Sequence, residues 1–406
     1  MNHGNGKSPR DAVIVGAART PIGKFNGALS SLSGPQLGAA AVRAAVERAG
    51  IDPASIEEVM IGQVVAAGSG LAPGRQVALW SGLPASVGAI SINKACGSSL
   101  KAVMLAASAI RAGDGDVYVA GGIESMSNAP YLLARNVNGA RLGHIQAQDS
   151  LITDGLWCAF EHHLMGNAAE FIADKFEVTR EEMDQFALHS HRKAVAAIDA
   201  GRFKDEIVPV EVKDAKGRAT IVETDEAPRR DTSLEALAKL KPSFKPDGRV
   251  TAGNAPGLND GAAAVVLMSR ERAEAESRPI LARIVGYTHA AVEPIWLFVA
   301  PARAVPRLLD KIGWTLEDAD LIEINEAFAA QVLADARALE QAGHKWDWDK
   351  VNVNGGAVAL GHPVGASGAR VLVTLIHALR QRNKERGIAT LCLGGGEAVA
   401  LAIEME

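Results

Sequence analysis

The chain has 406 residues, 48% hydrophobic and 22% charged, which makes it too long for one small core and too apolar for a disordered segment. A net charge of −5 with no long basic block argues against nucleic acid or an anionic membrane as the main partner. Three cysteines without close spacing exclude a disulfide or zinc framework, and no apolar run approaches the ~20 residues that span a bilayer.

Free thiols imply a reducing compartment. The polar start from Met1 to Arg10 has no apolar signal core, and the end, Glu404-Met405-Glu406, is not a peroxisomal address. The expected location is the cytoplasm.

Short β-branched strands alternate with helices of about 10–15 residues, the pattern of α/β layers. In chain order, strands are predicted at 12–16, 59–63, 89–92, 117–120, 262–268, 282–287, 321–324, 351–353, 390–393 and 399–403. Helices are predicted over 36–49, 98–112, 180–200, 303–312, 327–342 and 368–380. Between residues 125 and 251 the alternation fails. A polar helical segment and a mixed-charge loop at 213–230 replace it. This stretch reads as a lid inserted in the first half, where a large substrate would bind.

The chain also repeats itself. The helix before Gly50 and the strand Val59-Met60-Ile61-Gly62 recur as the helix before Gly313 and the strand Leu321-Ile322-Glu323-Ile324. Gly97-Ser98-Ser99 and Ala366-Ser367-Gly368 each open a helix. Gly121 and Glu124 recur 273 residues later as Gly394 and Glu397. The two halves are expected to pack about a pseudo-twofold axis, with 1–280 as the first half, its lid over about 125–251, and 281–406 as the second.

Chemistry concentrates in the glycine-rich loops. Cys96 precedes a helix start, where the macrodipole and free N–H groups favour thiolate, so it reads as a covalent nucleophile rather than a packed thiol. His362, in Gly361-His362-Pro363, should face Cys96 across the pseudo-axis and take its proton, or donate to a substrate carbonyl. Cys392 leads into Gly394-Gly395-Gly396. It reads as a second acid or base, with a redox partner of Cys96 and a core thiol as alternatives. Those glycines supply N–H groups for an oxyanion. Asn325 is either a helix N-cap or an amide that holds a water or carbonyl in the site. Cys158 reads as packing, and His144, His162, His163 and His189 as structural or surface groups.

Together these segments resemble the thiolase family, the acetyl-CoA acetyltransferases and 3-ketoacyl-CoA thiolases. The matching elements are Asn93-Lys94-Ala95-Cys96-Gly97-Ser98-Ser99, Asn325-Glu326-Ala327-Phe328-Ala329, Gly361-His362-Pro363 and Cys392-Leu393-Gly394-Gly395-Gly396. Gly121-Gly122-Ile123-Glu124-Ser125-Met126-Ser127 and Thr251-Ala252-Gly253-Asn254 join them, and the likeness runs from about residue 11 to 404.

The resemblance implies two duplicated βαβαβαββ-type halves stacked as α-β-α-β-α layers, with the lid in the first half. It implies that Cys96 is acylated, that His362 activates it, and that Cys392 deprotonates a second acetyl-CoA. Asn325 would hold a water beside His362, and the N–H groups of Cys96 and Gly394 would hold the tetrahedral oxyanion. Coenzyme A is then substrate and product, with no metal or bound cofactor. Partners would be acetyl-CoA, acetoacetyl-CoA or another 3-ketoacyl-CoA, and a second copy in a homodimer or homotetramer. The segment 129–152 is long enough for a tetramer-forming loop.

Substrate contacts carried over are Met165, Phe244, Ala252 and Arg229. The chain departs from the family at Leu164, where a His is usual, at Pro256, where a Ser is usual, and at Leu297-Phe298-Val299-Ala300, where Met-Gly-x-Gly is usual. These positions bear on pocket size and CoA binding. Acetoacetyl-CoA chemistry is the first expectation, with longer-chain ketoacyl cleavage or a binding scaffold as alternatives. A β-ketoacyl synthase, which uses one cysteine with two histidines or a His and Asn, would not need Cys392.

Overall fold

A computed structural model of the chain describes residues 7–134, 144–214 and 216–406. Part of the proposed tetramer-forming loop, residues 135–143, and most of the polar start lie outside them.

One ten-stranded sheet runs through the molecule. Its main strands are β1 (Ala12–Arg19), β2 (Glu58–Gly62), β3 (Gly88–Ile92), β4 (Val117–Ser125) and β5 (Asn259–Ser269) from the first half. The second half gives β6 (Ala282–Ala291), β7 (Leu321–Ile324), β8 (Arg386–Leu393) and β9 (Glu397–Met405). A two-residue strand, Gly23–Lys24, pairs with β5.

The halves repeat one topology. β1 pairs antiparallel with β5, β5 antiparallel with β4, and β4, β2 and β3 continue in parallel. Likewise β6 pairs antiparallel with β9, β9 antiparallel with β8, and β8 parallel with β7. The two runs join at only two residue pairs, Val13 with Arg283 and Ile14 with Ala282. Even the irregularities recur, as bulges at Ile14/Gly16 and Ile284/Gly286.

Strand alternation sorts side chains into three helical layers. Val13 and Val15 face the outer helices α1 (Gly34–Ala49) and α2 (Pro73–Trp80), while Ala12 and Ile14 face inward. On β9, Val399, Leu401 and Ile403 face inward, and Ala398, Ala400 and Ala402 face α6 (Pro301–Ile312) and α7 (Ala329–Gln341). The shared inner layer is α3 (Ser98–Ala112) against α8 (Ser367–Gln381). The stack is therefore α-β-α-β-α, as expected.

The insertion holds α4 (Met165–Lys175) and α5 (Arg180–Asp199) with short two-residue hairpins. Sequence periodicity missed α4, whose glycine, asparagine and run of alanines give no clear apolar stripe. Other elements match to within a few residues, with two corrections. The strand expected at 351–353 is a single bridge from Val351 to Ile322. Asn352 there has φ +45°, and its side chain caps both polar groups of Ile324, which ends the ladder. The helix expected from 327 starts at Ala329, after Phe328 in extended conformation.

The duplicated bulges give a stability test. A Cβ on Gly16 would lie 2.3 Å from the Ala45 carbonyl oxygen, whereas one on Gly286 would meet the Ile312 side chain at 2.5 Å. Side chains yield and backbone does not. In urea unfolding, Gly16→Ala should lose about 1–3 kcal/mol and Gly286→Ala distinctly less. Equal losses would show that the bulge packing differs from this description.

Candidate active site

The active-site loops hang from the two N-termini of the inner layer. Gly97 caps α3, which places Cys96 at its mouth. Ala95 is held left-handed at φ +43°, and Asn93 Oδ1 accepts its N–H at 3.0 Å. A non-glycine residue in that region stores strain that its surroundings must over-determine. Ser98 Oγ accepts the Lys94 N–H at 2.8 Å and donates to Ala95 O at 2.6 Å.

His362 is fixed from three sides. Its N–H donates to Asn259 Oδ1 at 2.9 Å. Nδ1 lies 2.6 Å from Ser367 Oγ, and that hydroxyl lies 3.0 Å from Pro363 O. With its one proton on the carbonyl, Ser367 accepts from Nδ1–H, which assigns a bare Nε2 to the ring. Asn325 Nδ2 is 3.5 Å from that Nε2, and Asn325 Oδ1 has no partner among the described residues. Asn325 does not cap α7, because Phe328 holds that position. The N-cap reading falls, and the amide faces the histidine.

Glu326 locks the neighbouring loops. Its carboxylate accepts from Ser190 Oγ of the insertion at 2.7 Å, Asn352 Nδ2 at 2.9 Å and Val358 N–H at 3.0 Å.

A cavity of about 450 Å³ joins the parts. Cys96, His362, Cys392 and Gly394 all line it, with Leu164, Met165, Phe244, Pro256, Leu297 and Phe298. Arg229 and Ala252 are exposed and are not in its lining. The Arg229 N–H donates to His191 Nδ1 at 3.1 Å. Cys158, read as packing, is buried but also lines the cavity. Phe328 is the wall residue that pattern reading left out. It packs edge-on to Phe298 at 5.3 Å and Phe244 at 6.3 Å. Among the described residues, no group of three or more His, Cys, Asp or Glu gathers as a metal site, and no helix is long and apolar enough to cross a membrane.

Burial decides the protonation states. Cys96 borders the cavity, but its enclosed thiol is pushed up to about 11, chiefly by desolvation, and the Gly394 N–H only partly offsets this. The thiolate that the helix start suggested is therefore not the resting form. Burial also raises the Cys392 thiol, with Cys96 and Asp335 adding to the effect. Burial lowers His362 to about 3, and Arg370 lowers it further. The resting site holds a neutral thiol and a neutral imidazole in one cavity.

Comparison with known proteins follows the same outline. The family models described as "Thiolase, N-terminal domain" and "Thiolase, C-terminal domain" match residues 12–271 and 278–405. The acetyl-CoA acetyltransferase of Pseudomonas aeruginosa is 54% identical over 394 residues, 97% of this chain and 99% of that protein. A probable acetyl-CoA acetyltransferase of Escherichia coli is 52% identical, covering 98% of this chain and 100% of that one. The crystal structure of the Bacillus anthracis acetyl-CoA acetyltransferase superposes with TM-score 0.94 at 45% identity, over 98% of this chain and 99% of that one. The structure of the Syntrophomonas wolfei enzyme of the same name gives 0.95 at 43% identity, with the same coverage.

The neutral resting pair has a spectroscopic signature. The thiolate absorbance at 240 nm that distinguishes wild type from Cys96→Ala should be near zero at neutral pH and grow only as pH approaches about 11. A thiolate step below about pH 8 would show a resting ion pair instead.

Proposed function

This chain belongs to the thiolase family, and we propose that it is an acetyl-CoA C-acetyltransferase working through an acyl-Cys96 intermediate. The observation that carries this reading is the convergence of Cys96, His362, Cys392 and Gly394 on one cavity. The near-full-length likeness to acetyl-CoA acetyltransferases supports it.

In the first half-reaction, Cys96 Sγ attacks the thioester carbonyl of an acyl-CoA. His362 Nε2 takes the thiol proton as the S–C bond forms. The oxyanion sits against the N–H groups of Cys96 and Gly394. When the C–S bond to CoA breaks, the Cys392 thiol gives its proton to the departing thiolate, so Cys392 is left as a thiolate and His362 keeps the Cys96 proton on Nε2. In the second half-reaction, the Cys392 thiolate takes a proton from the methyl group of an incoming acetyl-CoA. The carbanion attacks the acyl-Cys96 carbonyl, and the S–acyl bond breaks to release a 3-ketoacyl-CoA as Cys96 recovers its proton from His362. Its enolate oxygen needs donors. A water held by Asn325 is one, and His362 is the other. Its Nε2 carries the proton taken from Cys96 and donates it, while Nδ1–H stays on Ser367 Oγ. The reverse sequence cleaves a 3-ketoacyl-CoA with free CoA.

Burial of Cys392 fits a base that works only within a closed complex, where the thioester has acidified the methyl group. The buried Leu297 and Phe298, with Phe328 behind them, stand where the family is more open. They favour an acetyl or acetoacetyl group over long chains. Leu164, Met165, Phe244 and Pro256 are assigned to the pantetheine arm, and the exposed Arg229 and Ala252 to the nucleotide end of CoA. We divide the halves at 280/281, just before β6. The outer edge of β3, with Ile90 exposed beside Leu79 and Trp80, supports a homodimer or homotetramer. Three free thiols agree with a cytoplasmic setting.

Mixing with acetyl-CoA and weighing the intact protein tests the roles. Wild type and Cys392→Ala should each gain one acetyl group, and Cys96→Ala none. An acetyl adduct on Cys96→Ala would remove Cys96 as the nucleophile. Steady-state cleavage of 3-ketoacyl-CoAs from four to sixteen carbons tests the substrate class. Activity should peak at four carbons, and Phe298→Gly should raise relative kcat/KM for the next homologues by about 10-fold per methylene accommodated. A wild-type peak at long chains would make the enzyme degradative.

A further inference from the structure

Each half contributes one glutamate near the active-site loops, Glu124 near the end of β4 and Glu397 at the start of β9, on strands that are not equivalents in the repeat. Neither lines the cavity. Each reaches out of its own half. Glu124 Oε2 accepts the N–H of Gly365 at 2.9 Å, three residues after His362. The same oxygen accepts Val64 N–H at 3.0 Å, and Oε1 accepts Val65 N–H at 3.2 Å. Glu397 meets Lys94 Nζ with both oxygens, at 2.6 and 2.7 Å, two residues before Cys96.

The pattern is crossed. The loop that carries Cys96 belongs to the first half and is tied to the second. The loop that carries His362 belongs to the second half and is tied to the first. Neither tie has slack. A Cβ on Gly365 would lie 2.5 Å from Ile123 O and 2.8 Å from Glu124 Oε2. The Lys94 backbone is itself held by Ser98 Oγ at 2.8 Å, so a pull on its ammonium acts on the loop as a unit.

We infer that Glu124 and Glu397 are a reciprocal pair of positioning residues, each holding the catalytic loop of the opposite half, and that together they set the approach of His362 to the Cys96 thiol. A duplicated fold must align two loops that descend from different halves. One carboxylate from each half does this in both directions. Displacement of a reacting group by about 1 Å can lower a rate by about 100-fold, so such ties have kinetic weight. The inference rests on reading Cys96 and His362 as the reacting pair.

The test measures thiolysis kinetics and the rate of Cys96 alkylation by iodoacetamide, followed by mass spectrometry. Glu397→Gln and Lys94→Met should each lower kcat and alkylation about 10-fold, with KM for CoA within about twofold. In a His362→Ala background, Glu397→Gln should change alkylation less than about twofold, because the alignment it sets has lost its partner. Glu124→Gln should behave like Glu397→Gln. If that buried variant does not fold, the Lys94 and Glu397 variants decide alone. Single variants with wild-type kcat, or an undiminished effect in the His362→Ala background, would overturn the inference. A wild-type protein that cleaves no 3-ketoacyl-CoA would overturn the proposed activity instead, since alkylation reads the pair without turnover.

Discussion

The architecture depends on a contact between two helix N-termini that leaves no room for side chains. At the start of α3 and α8, a Cβ on Gly368 would lie 2.6 Å from Leu100 N, and one on Gly122 would lie 2.2 Å from Gly365 O. A Cβ on Gly62 would lie 2.5 Å from Ser99 N. Into that contact the Ala369 N–H donates to Ser99 Oγ at 2.9 Å. Three glycines and one shared hydroxyl let two helices from different halves meet end to end. One end carries the loop of Cys96 and the other the loop of His362, so the contact that closes the core also brings both residues to one cavity. The price is sensitivity, because close-packed backbone cannot relax around even one added methyl group.

Electrostatics follow from the same closure. With α3, α8 and the insertion packed around it, the cavity has few polar walls, and ionised forms there lose their hydration. Cys96, Cys392 and His362 are therefore all driven towards neutrality. Charge need appear only during reaction, beside donors fixed in advance. Gly394 N–H, Asn325 and the Ser367–His362 pair are such donors, each held by contacts outside the cavity. A closed, weakly solvated site makes these dipoles count for more than they would in water.

Buried polar side chains do the holding. Glu326 binds three segments with one carboxylate, among them Ser190 of the insertion. In this way the segment that carries Ser190 is fastened to the loops beside Asn325. Elsewhere Arg19, fully buried, meets Glu206 at 2.5 Å and Asp225 at 2.7 Å, and binds the insertion to β1. Satisfied networks of this kind favour one arrangement over its near alternatives.

Local pattern made much of this legible. Period-two apolar strands, glycine-capped helices and their recurrence in the two halves gave the α/β class and the duplication, because each is written in neighbouring residues. The 273-residue offset did not hold, since α3 and α8, like β4 and β8, start 269 residues apart. Cys96, His362 and Cys392 stood out because glycine and serine crowd them, and backbone exposed to a substrate requires small neighbours. Other features had no local signal. Helix α4 gains its stability from packing in the insertion. Phe328 is a wall only because Phe244 and Phe298 come to it from distant segments. Ser367 acts through a ring five residues away in the chain, and Asn325 proved not to be a cap because its helix begins later. The sequence by itself determined most of the strands and helices and marked the cysteines and the histidine that the fold brings to one cavity. Tertiary structure alone decided their distances, their proton states and the shape of the cavity, since these arise from desolvation and contact between residues hundreds of positions apart.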